Sequence, residues 1–119
     1  MRAIAYLFAA AAAVVMSTSA PAFAHAMLLT SDPAAGATLT AAPAQIVLNF
    51  SEALEGRFSS ITLVDAAGRT LQGELHVAGH TMALGVGRLL PGVFEVRWRA
   101  LSVDSHVTQG AYRFTVAGP

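Results

Sequence analysis

A two-residue alternation of apolar and polar side chains is the feature that most limits how this chain can fold. In the segment VFEVRWR, residues 93–99, the two alternating sets are apolar and charged: Phe94, Val96 and Trp98 against Glu95, Arg97 and Arg99. Successive side chains of a β-strand point to opposite faces of the sheet, so this segment predicts a strand with one buried face. For the same reason we expect the tryptophan to lie in the core.

Alternation of the same kind recurs along the chain after residue 24. The clearest further segments are 45–50, 59–65 and 111–116, and weaker ones cover 71–79 and 81–86. Short runs such as SDPAAG, ALEG and LLPG separate them and are typical of turns. No helical pattern of about 10–15 residues intervenes, which disfavours a parallel βαβ layout. The sequence therefore predicts an all-β protein, a Greek-key β-sandwich or barrel of about seven strands.

Residues 1–24 have the layout of a secretory signal peptide. Arg2 is followed by fourteen apolar residues, 3–16, and then by a small-residue segment that ends in the triplet AFA. The apolar run is short for a membrane span, which needs about 20 residues. We therefore expect cleavage after Ala24, export to the periplasm, and a mature domain of residues 25–119.

Two alternatives stay open at this end of the chain. An uncleaved N-terminal anchor would have a similar composition. A second Ala-x-Ala triplet, Ala24-His25-Ala26, would move the cut to follow Ala26 and would remove His25. The choice of cleavage site therefore decides whether His25 becomes the first residue of the mature protein.

Charge and cysteine content exclude several classes of function. All seven basic residues are arginine, and without Arg2 the side chains sum to −1, from six arginines and seven acids. This balance gives no electrostatic reason to expect nucleic acid or anionic lipid as a partner. Cysteine is absent, which excludes thiolate metal sites and disulfides. No second apolar stretch of spanning length follows, so we expect no membrane insertion after cleavage.

The sequence also lacks the short motifs that mark many enzymes. It has no Gly-x-Ser-x-Gly, no phosphate-binding glycine loop and no His-Glu-x-x-His. No nucleophile is paired with a base at an informative spacing. We therefore expect no enzymatic activity and no catalytic residues.

Asp104 and His106 form an Asp-x-His pair in the segment VDSHVTQG. If this stretch is extended, the two side chains point the same way and lie about 6–7 Å apart along the strand. One metal ion bound at about 2 Å by each group can bridge that gap. The pair alone is a half-site, and a turn acid beside a surface histidine is the alternative that spacing leaves open.

His25 becomes a stronger ligand if cleavage follows Ala24. Its α-amine, with an ordinary pKa of about 7.7–8, and its Nδ1 then close a six-membered chelate ring on one metal. With the imidazole of His106 and the carboxylate of Asp104, the set holds three nitrogens and one oxygen. A tetragonal set of this kind without sulfur favours one Cu(II) ion. The alternation does not establish that His25 meets the other two residues, and chance proximity to the cleavage site is the alternative.

The other two histidines, His76 and His80, flank a predicted turn between two strands. We interpret this segment as an exposed β-hairpin, with a weak auxiliary copper or zinc contact as the alternative. Met82 lies nearby in the sequence. Met27 follows His25 by two residues, and we expect it to begin the first strand and to pack at its edge or in the core.

Three stretches of the mature chain resemble the CopC family of periplasmic copper-resistance and copper-binding proteins. They are HAMLLTSDPAAGATL, APAQIVLNFSEAL and LLPGVFEVRWRALSVDSHVTQGAYRFTV, which together span nearly all of residues 25–116. The resemblance implies a cupredoxin-like or immunoglobulin-like Greek-key β-sandwich. It also implies a Cu(II) site formed by His25, through its amine and imidazole, with Asp104 and His106.

One departure from the family pattern concerns Cu(I). Some members carry a methionine-rich segment between the central strands, whereas residues 65–82 hold a single methionine, Met82. Thioether ligands favour Cu(I), so we predict a protein that binds Cu(II) only, without a methionine-rich Cu(I) site. Some relatives are fused to a membrane copper-transport domain, and here we expect any inner-membrane copper transporter to be a separate partner chain.

These observations predict a periplasmic copper-binding protein for copper homeostasis or resistance, acting as a carrier or by sequestration. A histidine-brace copper oxygenase is the first alternative, because such enzymes also use an N-terminal histidine. Asp104 would then occupy a coordination position that those enzymes leave open. An exported immunoglobulin-like interaction module with incidental histidines is the second alternative.

Overall fold

Nine β-strands supply the regular structure of residues 25–118, the part of the chain that the computed structural model describes. Their bounds are β1 Leu28–Asp32, β2 Thr38–Leu39, β3 Gln45–Phe50, β4 Ser60–Val64, β5 Thr70–Leu71, β6 Gly73–Ala78, β7 Thr81–Val86, β8 Gly92–Leu101 and β9 Val107–Val116. One 3₁₀ turn, Gly56–Phe58, precedes β4. Within this range no helix has the length and hydropathy of a membrane span. The predicted signal peptide, residues 1–24, lies outside the described residues.

The strands form two sheets, of order β1-β3-β7-β6 and β2-β9-β8-β4-β5. All neighbours are antiparallel except β2 and β9, which are parallel. The seven strands of five residues or more follow the order of an immunoglobulin constant-type sandwich, A-B-E-D against G-F-C. The predicted all-β Greek-key sandwich of about seven strands is therefore confirmed, and β2 and β5 are two-residue additions at the edges of one sheet.

The apolar faces predicted from the alternation meet between the two sheets. The inward positions of β3 are at most 2% exposed: Ile46, Leu48 and Phe50. Trp98 of β8 is half-buried and packs edge-on against Phe50, with ring centroids 5.2 Å apart. A Cβ added at Gly110 would come within 2.6 Å of Cζ2 of Trp98, so this close approach requires glycine. The predicted core faces of these strands are confirmed.

One end of the sandwich gathers the segments that carry His25, His80, Asp104 and His106. The N–H of Ser51 donates to the carbonyl oxygen of Met27 at 2.8 Å, and the N–H of Leu54 donates to that of Gly79 at 2.9 Å. Leu54 also forms an isolated β-bridge with Ser102. These contacts join four segments that we call the loop end: residues 25–27, 51–54, 79–80 and 102–106.

Candidate metal centre

The segment around His25 is fixed to the sandwich through its backbone. The Thr108 hydroxyl donates to the carbonyl oxygen of Ala26 at 2.7 Å, and Ala26 itself is fully buried. The Ser51 hydroxyl donates to the carbonyl oxygen of His25 at 3.1 Å, and its oxygen accepts the N–H of Met27 at 2.9 Å. Residues of the predicted mature domain therefore hold the backbone of His25 at the loop end.

His25 and His106 meet at this end of the molecule. Their ring centroids are 4.9 Å apart, and the rings are inclined by 66° in an edge-to-face arrangement. Two imidazoles that bind one metal through nitrogens at about 2 Å have centroids within about 6 Å of each other. The observed rings are therefore close enough to share an ion, a juxtaposition that the sequence left undetermined.

The loop before β9 brings Asp104 next to His106. Oδ1 of Asp104 lies 3.4 Å from Nδ1 of His106, and the two side chains are 39% and 38% exposed. The loop is a tight turn, because the N–H of Ser105 donates to the carbonyl oxygen of Ser102 at 2.9 Å and Ser105 has a φ of 74°. The premise of an extended strand here is therefore wrong: β9 begins at Val107, and the two side chains converge because the chain turns.

Ser102 holds Asp104 and His106 in place together. It is 1% exposed, its hydroxyl donates to Oδ1 of Asp104, and its oxygen accepts the N–H of His106 at 3.2 Å. The N–H of Ser102 donates in turn to the carbonyl oxygen of His106 at 2.9 Å. The sequence pattern does not predict the roles of Ser102, Ser51 and Thr108. A Ser-x-Asp spacing is a weak signal of local hydrogen bonding, but it does not reveal burial.

The hydrogen bond from Ser102 lowers the pKa of Asp104 below its ordinary value of 3.8, and the neighbouring His106 acts in the same direction. A carboxylate that accepts a hydrogen bond is stabilised in its ionised form. Asp104 is therefore anionic at neutral pH, which is the form that binds a metal.

The side chains at the loop end bring together two imidazoles and one carboxylate. In the full-length chain the nitrogen of His25 is a peptide nitrogen, because Ala24 precedes it. Among residues 25–118, the His, Asp and Glu side chains form no group of three arranged to hold a metal ion. The ligand roles of His25, Asp104 and His106 stay predictions, and the set gains the α-amine as a further donor only when His25 is the first residue.

The second pair of histidines belongs to the β6–β7 hairpin, and the predicted hairpin is confirmed. His76 is exposed on β6, with its Nε2 3.8 Å from Oε1 of Glu74. His80 is exposed in the turn, where its carbonyl oxygen accepts the N–H of Phe50 at 2.9 Å. His80 thus reaches the loop end through its backbone, whereas the His76 side chain faces solvent.

The two described methionines have opposite environments. Met82 is fully buried in the core between the sheets. Met27 differs from the expectation, because β1 begins at Leu28 and the Met27 side chain is 60% exposed. Buried Ala26 occupies the inward position of this segment, and its neighbours His25 and Met27 are both exposed. Met27 is therefore not a core residue.

Together these features describe an immunoglobulin-like β-sandwich whose N-terminal segment brings His25 against His106, and whose last inter-strand loop places Asp104 beside the same histidine. The chain belongs to the CopC domain family, whose model matches residues 28–117. The family membership predicted from the sequence is confirmed.

Individual relatives agree with this assignment. The chain is 39% identical over 114 residues to copper resistance protein C of Pseudomonas syringae pv. tomato, covering 85% of this chain and 87% of the relative. The crystal structure of CopC from Methylosinus trichosporium OB3b is similar with a TM-score of 0.75 and 29% identity, over 78% of this chain and 94% of that one. The crystal structure of PcoC, a methionine rich copper resistance protein from Escherichia coli, is similar with a TM-score of 0.70 and 34% identity. The match covers 78% of this chain and 99% of that one.

Proposed function

We propose that this chain is a periplasmic protein that binds one Cu(II) ion through His25, Asp104 and His106 and serves copper homeostasis or resistance. The observation that carries the proposal is the 4.9 Å contact between the rings of His25 and His106, with Asp104 3.4 Å from His106. The names of the relatives, copper resistance proteins, support copper as the metal.

The α-amine of the mature N-terminus is the fourth donor in this proposal. With Nδ1 of the same residue it forms a chelate, and His106 and Asp104 complete a set of three nitrogens and one oxygen. Cu(II) suits tetragonal sites of nitrogen and oxygen, and it forms the tightest complexes of the divalent first-row series. The ionised carboxylate of Asp104 also favours a dication by its charge.

Cleavage after Ala24 is then a step in building the site. The lone pair of a peptide nitrogen is delocalised into the carbonyl group and is less available to a metal than that of an amine, so we expect the precursor to bind Cu(II) weakly and the processed protein to bind it tightly. The hydrogen bonds from Ser51 and Thr108 reach the carbonyl groups of His25 and Ala26, and cleavage after Ala24 leaves both intact. A cut after Ala26 would remove both acceptors together with the histidine.

Binding and release, not catalysis, are the chemistry that this donor set supports. Asp104 lies close enough to His106 to take the coordination position that a copper oxygenase keeps open for its oxidant. Acid protonates the nitrogen donors and releases the metal, so copper occupancy should fall as the pH falls. A carrier of this kind would sequester Cu(II) or deliver it to a separate membrane transporter.

A methionine-rich Cu(I) site is not part of the proposal. Residues 65–82 contain one methionine, Met82, and its side chain is fully buried. The segment therefore offers no exposed thioether to a metal.

Titration of the mature protein, residues 25–119, with Cu(II) against a competing chelator tests the proposal. We expect one tightly bound Cu(II) per chain and an electron paramagnetic resonance (EPR) spectrum of a tetragonal site with nitrogen hyperfine couplings. Failure of the correctly processed protein to bind Cu(II) would overturn the proposal and favour the interaction-module alternative.

A further inference from the structure

Met27 is an exposed thioether next to the proposed copper site that the Cu(II) ligand set does not use. Of the two methionines in residues 25–118, Met82 is fully buried and Met27 is 60% exposed. This exposure leaves the Met27 thioether accessible from solvent. The unbranched, flexible methionine side chain can reach a metal from several directions.

The backbone places Met27 on the same side of the chain as His25. Ala26 points inward and is fully buried, whereas both of its neighbours are exposed. In an extended segment, residues i and i+2 point the same way and are about 6–7 Å apart. Ser51 fixes Met27 at both its N–H, at 2.9 Å, and its carbonyl oxygen, at 2.8 Å. The backbone of Met27 is therefore fixed two residues from His25, and the burial pattern puts both side chains on the exposed side of the segment.

We propose that the loop end also binds Cu(I), through the Met27 thioether and the imidazoles of His25 and His106. The inference rests on the proposed function, because it shares these two histidines. Soft thioether sulfur selects Cu(I) over Cu(II), and imidazole serves both oxidation states. The hard carboxylate of Asp104 and the amine serve Cu(II), so the two ions use overlapping but different donors. No electron transfer by the protein is required, since copper is supplied as Cu(I).

This second binding mode revises the expectation of a Cu(II)-only protein. That expectation concerned residues 65–82, where a separate methionine-rich site is missing. A single thioether at the main site lets the protein retain copper in a reducing environment without a second location. It follows that reduction of bound Cu(II) should not release the metal from the wild-type protein.

The test measures Cu(I) affinity of residues 25–119 under anaerobic conditions, in competition with the chromogenic chelator bicinchoninate. Met27→Leu removes the sulfur and keeps the side-chain size. Losing even an outer hydrogen-bond partner of a metal ligand costs roughly tenfold in affinity, so we expect at least a tenfold loss of Cu(I) affinity for this variant. X-ray absorption of the Cu(I) form should show a copper–sulfur contribution in the wild type and none in Met27→Leu.

A relocated thioether is the matched control. Leu29 is 64% exposed and two residues further along, so Met27→Leu/Leu29→Met keeps the composition and the exposure of a methionine near the N-terminus. Recovery of wild-type Cu(I) affinity in this double variant, or equal Cu(I) affinity of wild type and Met27→Leu, would overturn the inference.

Cu(II) titrations of the same proteins separate this inference from the proposed function. We expect Met27→Leu to bind Cu(II) as the wild type does. A wild-type protein that fails to bind Cu(II) contradicts the proposed function, whereas normal Cu(II) binding with Cu(I) affinity independent of Met27 contradicts only the inference.

Discussion

The two pairs of histidines in this chain differ in how the fold supports them. His25 and His106 come from opposite ends of the domain sequence and meet with ring centroids 4.9 Å apart. His76 and His80 are four residues apart in one hairpin, and both are exposed. Sequence spacing alone would make His76 and His80 the better candidate metal pair, whereas the tertiary structure favours His25 and His106 as the metal pair.

Buried and partly buried polar groups account for the difference. Ser102 is 1% exposed and contacts both Asp104 and His106, and Thr108 holds the segment of His25 through the carbonyl group of Ala26. Nε2 of His76 lies 3.8 Å from Oε1 of Glu74, and these two side chains are 69% and 82% exposed. Exposed pairs of this kind hold side chains weakly. A preorganised ligand set is therefore expected at His25, Asp104 and His106 and not at His76 and His80.

The largest expected effect on Cu(II) affinity comes from removing two of the proposed ligands, Asp104 and His106, from the mature protein. Asp104→Ala/His106→Ala should lower Cu(II) affinity by more than about 100-fold, because losing ligands costs more than losing their outer hydrogen-bond partners. His76→Ala/His80→Ala is the matched control and should bind Cu(II) as the wild type does. Chelator competition measures both, and tight binding by the first variant or its loss in the second would reverse the comparison.

The next effect isolates the buried serine. Ser102→Ala should lower Cu(II) affinity by about 10–100-fold, as expected for a group that orients metal ligands. Ser59→Ala is its control, since Ser59 is also buried and its hydroxyl oxygen accepts the N–H of Leu101 at 3.0 Å. Each substitution should cost about 1–3 kcal/mol of unfolding free energy. Thermal unfolding checks that the two variants lose similar unfolding free energy. Equal Cu(II) affinities for the two variants would show that Ser102 is only structural.

How far the sequence predicts these features depends on the range of the contacts. Alternation placed Ile46, Leu48 and Phe50 in the core because it reports a local geometry that every strand shares. It could not place Thr108 beside Ala26, a contact between residues 82 positions apart. The alternation does not predict the turn at Ser105 either, since a positive φ at a non-glycine residue follows from the surrounding hydrogen bonds and not from composition. The candidate ligands were predicted from chemistry and resemblance, whereas their supports required the fold.

A smaller effect concerns the ionisation of the Asp104 carboxyl group at acid pH in the metal-free protein. Because the folded-state pKa of Asp104 is lowered, its interactions stabilise the fold above the unfolded value near 3.8 and are lost as the pH falls through the lower folded value. Carboxyl chemical shifts measured by NMR should give a midpoint below 3.8 in the wild type. The midpoint should rise toward 3.8 in Ser102→Ala and stay low in Ser59→Ala. An unchanged midpoint in Ser102→Ala would contradict the role of Ser102 in lowering the pKa of Asp104.

The smallest expected effect lies on the hairpin. Glu74→Gln removes the carboxylate that faces His76 but should change the unfolding free energy by less than about 0.5 kcal/mol, because the pair is exposed. Chemical denaturation measures this difference. Exposed pairs contribute at most roughly 1 kcal/mol. A larger loss of unfolding free energy in Glu74→Gln would mean that the contact between His76 and Glu74 holds these side chains strongly.

Removal of residues 1–24 is expected to create the copper ligand by freeing the α-amine of His25. Two forms of the protein are titrated with Cu(II) and examined by EPR, one starting at His25 and the other retaining Ala24, so that they share every side chain of the site. We expect the form that retains Ala24 to bind Cu(II) at least about 100-fold more weakly, beyond the cost of losing an outer partner, and to give a different spectrum. Equal affinities and identical spectra would contradict the claim.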